Sequence, residues 1–265
     1  MASWGLFYFR LSFFTTNAHS QNAPDLYKAI WVSEPDGYQK SQNALAPSNA
    51  NGKRGTLILQ CSVQAGRVDL NFTGAVHEGS EIKPPLIADI QDLSNEVSTV
   101  LDRIENDAIS LPITRVANFF QFLNLQTSHA AANKTVLETI PSQFGVKITN
   151  EEDFIFQINR PYKSRPIADL KMNSIVKWSV EKIQMMAITA DSPQIGPRTS
   201  EFTTASVAID INNTPRSTPI NASDQVAILN EAIEVAEGIR AETRIPISGL
   251  LGLKGTGTTY NAKTH

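Results

Sequence analysis

"MASWGLFYFRLSFFTTNAHSQ", residues 1–21, admits two readings, and the choice between them decides the fold. A secretion signal wants basic residues first, then an unbroken apolar run, then a small-residue cleavage site. Here the one early charge, Arg10, sits inside the apolar run, although Ala18 to Ser20 has the small residues of a cleavage site. A strand fits better. Phe7, Phe9, Leu11 and Phe13 share one parity, and Tyr8, Arg10 and Ser12 share the other. A pleated backbone turns that into one oily face and one mostly polar face. The alternation therefore assigns a strand. No other segment approaches the roughly 20 apolar residues of a membrane span.

The same two-residue rhythm recurs along the chain. In "TLILQCSVQAGRVDLNFTG" (56–74), Leu57, Leu59, Cys61 and Val63 alternate, then Val68, Leu70 and Phe72. Ala65-Gly66 between them supplies the positive φ of a tight hairpin. Leu86, Ile90, Leu93, Val97, Val100 and Ile104 instead recur every three or four residues, the stripe of an α-helix that Pro84 and Pro85 open. "PITRVANFFQFLNLQTSH" (112–129) suits helix or strand, and its aromatic content favours strand. A short helix follows and stops at Pro141.

Beyond it, Phe154, Phe156 and Ile158 predict a strand ending before Pro161. Leu170, Met172, Val176, Trp178 and Val180 keep even parity, whereas Ile183, Met185 and Ala187 are odd. A β-bulge at Glu181-Lys182 would restore the face. Val207, Ile209 and Ile211 mark another strand. The last helix carries Val226, Leu229, Ile233 and Ala236, with Asn221 or Ser223 as its cap and Gly238 as its end. Residues 17–55 read as a polar loop, interrupted by one or two helical turns capped by Asp25.

The expected fold is thus α+β: antiparallel sheet with long helices packed on one face, in two β-β-β-α halves that suggest duplication. The halves span residues 1–145, with a connecting strand and helix, and 146–250. Residues 251–265 read as a flexible tail, and the halves are expected either to form one continuous domain or to stand apart.

Chemistry-bearing motifs are missing. "GLLGLKGTGTT" lacks the G-x-x-x-x-G-K-[ST] order of a phosphate loop and has no helix after it. His19, His77, His129 and His265 show no paired metal-ligand spacing. Cys61 lies on the apolar parity, as a core cysteine would, and a single cysteine excludes an internal disulfide. With the unconvincing leader, that points to the cytoplasm. The net charge is −3 with Lys and Arg scattered, so the basic stripe of a nucleic-acid binder is missing.

What remains is the polar face. Arg10, Arg67, Asp69, Asn71 and Asp210 all stand on the polar parity of their strands. If that face is a groove, its arginines, carboxylates and amide suit a peptide or polar ligand. The expected function is a non-enzymatic interaction protein, a subunit or accessory factor that binds a protein partner, or itself, through a sheet edge or the polar face. The alternatives are a small-molecule binder with a pocket between sheet and helices, and a metal-dependent hydrolase or nuclease whose carboxylates meet only in the fold. No catalytic residue, metal ligand or cofactor is assigned.

Overall fold

A computed structural model describes residues 3–16, 22–39, 47–76, 82–106, 111–147, 154–187, 198–247 and 249–254. Nine strands form one antiparallel sheet in the order β2-β3-β4-β5-β1-β6-β9-β8-β7. They are β1 (Trp4–Thr15), β2 (Gly37–Gln39), β3 (Ser48–Arg54), β4 (Leu57–Gln64), β5 (Arg67–Gly74), β6 (Ile113–Gln126), β7 (Ile155–Lys163), β8 (Lys171–Ala187) and β9 (Arg198–Asn213). Four helices accompany them: α1 (Ala23–Trp31), α2 (Ile90–Glu105), α3 (His129–Thr139) and α4 (Ala222–Glu242).

The opening stretch is a central strand. β1 pairs with β5 on one side and β6 on the other. Phe9, Leu11 and Phe13 are buried as the alternation requires. Phe7 is an exception: a register shift between Leu6 and Tyr8 takes it out of phase, and Leu6 enters the core instead. The register aligns one apolar row across seven strands: Leu59, Phe72, Phe9, Phe120, Ile209, Val176 and Ile158. Phe9 packs tilted against both Phe72 and Phe120. Apolar residues of all four helices join this row and Trp178 in one core cluster. The helices therefore roof one face. Cys61 lies in the same core, where burial pushes its thiol up, out of the reactive range. No helix among the described residues is long and apolar enough to cross a membrane.

Several boundaries differ from expectation for local reasons. β3, "SNANGKR", lies in the stretch read as loop; its buried positions Ser48, Ala50 and Gly52 are small, and Tyr27 of α1 occupies the space above Gly52. The cap of α1 is Asn22, whose side chain accepts from the Asp25 backbone N–H. α2 starts at Ile90 behind the cap Asp89, so Leu86 and both prolines precede it. There the Gly74 N–H donates to Pro85 and the Ile87 N–H to Leu6. β7 runs through Pro161, which an edge strand tolerates because a ladder donor is lost on the open side.

No bulge interrupts β8 against β9; pairing is continuous from Met172↔Asn213 to Ala187↔Arg198. The apolar residues change parity where β8 leaves the helix roof, so there is no face to restore. α4 passes through Gly238 and ends at Glu242, with Asn221 as its cap. The segment Leu250–Leu253, joined in sequence to the tail, is a short 3-10 turn with Leu250 and Leu253 fully buried. Ser94 of α2 donates to the Gly252 carbonyl. His19, His77, His265 and residues 255–265 lie outside the described residues; His129 opens α3 behind its cap Ser128.

α4 is tied down by charge as well. Glu231, buried, accepts from Ser164 Oγ (2.7 Å) and the Arg165 backbone (2.8 Å). Glu234 accepts from Lys254 and Arg165, and Glu242 from Arg160. These bonds hold the Glu234 and Glu242 carboxyls below their ordinary range.

Two measurements check this packing. Gly74→Ala would drive a methyl into backbone, with Leu86 C at 2.6 Å and Pro85 O at 2.9 Å, and should cost about 1–3 kcal/mol in urea unfolding. Gly238→Ala meets open space inside a helix and should stabilise by about 0.5–1 kcal/mol. The second check is pH. A carboxyl whose folded pKa is depressed contributes stability above its unfolded pKa and loses it as pH falls through the folded value. Glu242→Gln should therefore lower stability at pH 7 by less than about 1 kcal/mol and weaken the loss seen on acidification below pH 4.5.

Candidate functional site

The face opposite the helices is built by the same register. Because Phe9, Phe72, Phe120 and Ile209 point into the core, their neighbours Arg10, Asn71, Phe119 and Asp210 point the other way and fall in one row. Tyr8, Gln121, Ala208 and Lys177 form the next. Ser12 stands between Asp69 and Ala117 in a third. All five predicted residues thus share this face.

Four of them meet. Asp69, buried, accepts from Ser12 Oγ at 2.6 Å and from Arg67 Nε at 2.7 Å; Arg10 Nε lies 4.0 Å away. Asn71 accepts from the Tyr8 hydroxyl and donates to Gln60 at 3.3 Å. Burial, first of all, raises the Tyr8 phenol above its ordinary pKa, so it stays a neutral donor. The Arg10 guanidinium lies over the Phe119 ring at 5.0 Å and the Tyr8 ring at 5.9 Å. Arg67 and Arg115 flank Phe14 in the same way, at 5.2 and 4.7 Å. Each such contact is worth about 0.5–1 kcal/mol at a surface and holds a flexible cation in place.

Asp210 stands apart from that network. Phe119 separates it from Arg10, and it accepts from Asn212 at 2.8 Å. Asn212 in turn accepts from Asn173, so an amide ladder leads toward β7. Asp210 does line a shallow depression of about 270 Å³ over the small Ala208, walled by Phe119, Gln121, Ile175, Lys177 and Glu181. Lys177 pairs with Glu181 at 3.0 Å, and Ser179 donates to the same oxygen. On β6 the same parity gives Arg115, Phe119 and Gln121 to this face, since they alternate with the buried Val116, Phe120 and Phe122; the helix-or-strand ambiguity of residues 112–129 hides that signal in the sequence.

The geometry bears on the enzymatic alternative. Asp69 and Asp210 lie on strands three places apart, about 14 Å at the usual strand spacing. They cannot share one metal ion. Among the described residues no group of three His, Cys, Asp or Glu side chains could hold one. The even-parity residues of β8 that would line a pocket under the helices, Met172, Val176 and Trp178, belong to the core cluster.

No protein-family model matches this chain, and comparison with curated proteins and with solved structures gives no match.

Asp69→Ala removes an acceptor shared by Ser12 and Arg67 and should destabilise by roughly 1–3 kcal/mol. Asp210→Ala breaks only a hydrogen bond to its own strand and should stay within about 0.5 kcal/mol. Urea titration of the two variants separates the structural carboxylate from the available one.

Proposed function

We propose that this chain is a non-enzymatic interaction protein, a subunit or accessory factor whose polar sheet face binds a protein partner. One observation carries the reading. Arginines, carboxylates, amides and aromatic rings are laid in register across the central strands, held by their neighbours, and no helix among the described residues covers them. Cations fixed over aromatic rings beside amides are the residue types enriched at the anchors of protein interfaces. The buried single cysteine suits a reducing compartment such as the cytoplasm.

The internal order of the chain supports a duplicated origin for this platform. This places the division between α2 and β6 and not at residue 145: each part runs strand, short helix, meander, long helix, β1-α1 to β5-α2 and β6-α3 to β9-α4. The opening strand of each pairs with the last strand of its own meander, and the two opening strands pair with each other at the centre. On this proposal the binding face straddles the junction of two repeats.

A second reading rests on the depression at Ala208. Its aromatic, amide and charged lining would accept a small polar ligand.

The test is purification of the chain from its native source, with Arg10→Glu and Phe119→Ala beside the wild type. Circular dichroism confirms that each folds. Partners retained by the wild type and depleted about tenfold or more with the face variants are expected. Equal recovery with every variant would overturn the reading.

A further inference from the structure

A row of cations crosses one end of the uncovered face, and we propose that it takes an acidic segment of the protein partner. This rests on the reading of the polar face as a binding surface and names the chemistry of what that surface binds. Arg67 of β5 and Arg115 of β6 stand on either side of Phe14 of β1 in the register. Ala117, Asn212 and Asn173 form the neighbouring row across β6, β9 and β8. Two residues farther along come Arg115, Thr214 and Lys171, and the Thr214 N–H donates to the Lys171 carbonyl at 2.9 Å. Lys171 in turn lies opposite Lys163 of β7. One line therefore runs Arg67, Phe14, Arg115, Thr214, Lys171, Lys163. The sequence scatters these four cations between positions 67 and 171, so no basic stripe shows there.

No carboxylate stands in this line. Arg67 has Asp69 at 2.7 Å, one row in, whereas Arg115, Lys163 and Lys171 make no ion pair among the described residues. Asp210 stands two rows away, and Glu181 is engaged with Lys177. Lys163 and Lys171 are exposed; Arg67, Phe14 and Arg115 are half-buried. Like charges directly opposite each other destabilise a sheet, and an incoming anion would relieve the Lys163–Lys171 pair. The whole chain carries −3, so the row is a local excess of positive charge.

The dimensions select the occupant. Five strand spacings of about 4.8 Å make the line roughly 24 Å long. An extended peptide advances about 3.3 Å per residue and sends every second side chain to one side. Some eight residues with acids at alternate positions would lay about four carboxylates along the line, one for each cation. Guanidinium forks suit carboxylates in particular. A single-stranded nucleic acid would need open rings on which its bases stack. The line's one ring, Phe14, is flanked by the Arg67 and Arg115 guanidiniums at 5.2 and 4.7 Å. The acidic balance of the whole chain also disfavours a long polyanion.

Fluorescence anisotropy of the full chain tests this, with a labelled peptide of about ten residues that alternates glutamate and serine. Circular dichroism confirms that each variant folds. The wild type should bind, and more weakly as salt rises. Lys163→Glu with Lys171→Glu, and separately Arg115→Glu, should each weaken binding about tenfold or more. Lys28→Glu with Lys182→Glu changes the net charge as much as the first pair does. Lys28 lies on α1 and Lys182 on the helix side of β8, so this control should stay within about twofold of the wild type. The inference is overturned by a peptide that does not bind or by losses equal in row and control variants. Tighter binding to an oligothymidylate of the same length, or to phosphatidylserine vesicles, overturns it too. If the peptide fails while Arg10→Glu or Phe119→Ala still depletes a copurified protein, the face-binding reading survives without this one. If no face variant changes what copurifies, both fall.

Discussion

Phe9, on the central strand of the sheet, belongs to a row that crosses seven strands, from Leu59 through Phe72, Phe9, Phe120, Ile209 and Val176 to Ile158. Six of these side chains, Leu59, Phe72, Phe9, Phe120, Ile209 and Val176, have no exposed surface. Burying a side chain of this size is worth about 1.5–3 kcal/mol. A slip of one residue in any central strand would turn its whole apolar set outward. The row therefore locks the register, and the helices lock the row: Trp31 of α1 packs edge-on against Phe72, and the Asn118 amide reaches the Leu229 carbonyl of α4.

The opposite face inherits its order from that lock. Arg10 reaches both Tyr8 and Phe119 only because β1 and β6 are held with Arg10 opposite Phe119. Asp69 can serve Ser12 and Arg67 together only because Ser12 faces it across the β1–β5 pair. Small residues, Ser12, Ala117, Ala208 and Ser206, stand beneath the long ones and are themselves shielded. Arginines that would be mobile on a helix surface are thus fixed over rings by neighbours on both sides. Such pre-organisation would lower the entropy cost of a contact made through this face, as the proposed function requires.

Much of this was legible because the sheet is amphipathic. Alternation alone placed Phe9, Leu59, Trp178 and Ile209 under one roof and put Arg10, Arg67, Asp69, Asn71 and Asp210 on the other side. What escaped has a common cause. Ala50 and Gly52 carry no apolar signal, since the bulk above them belongs to Tyr27. Leu86 keeps helical spacing with Ile90 yet lies in an extended segment beside Gly74. Leu253 looks like a tail residue until α2 and α4 close over it. In each case the deciding neighbour is distant in the chain, so no local period records it. Phe119 was missed differently: next to Phe120 it reads as core, and only the strand's parity gives it to the outer face.

The two edges of the sheet are poor templates for an added strand. An open edge is a template for pairing, and stable proteins blunt it with short strands, proline and charge. β2 has only three residues, which leaves little ladder to extend. β7 carries Pro161 near its end, with Arg160 and Lys163 beside it and Arg160 engaged with Glu242 of α4. A strand that adds to β7 would lose a donor at the proline and meet a cation on either side. The broad face differs: its charges and rings are placed by their neighbours across β5, β1 and β6. On the proposed reading, contact runs across the central surface, because both borders resist an added strand.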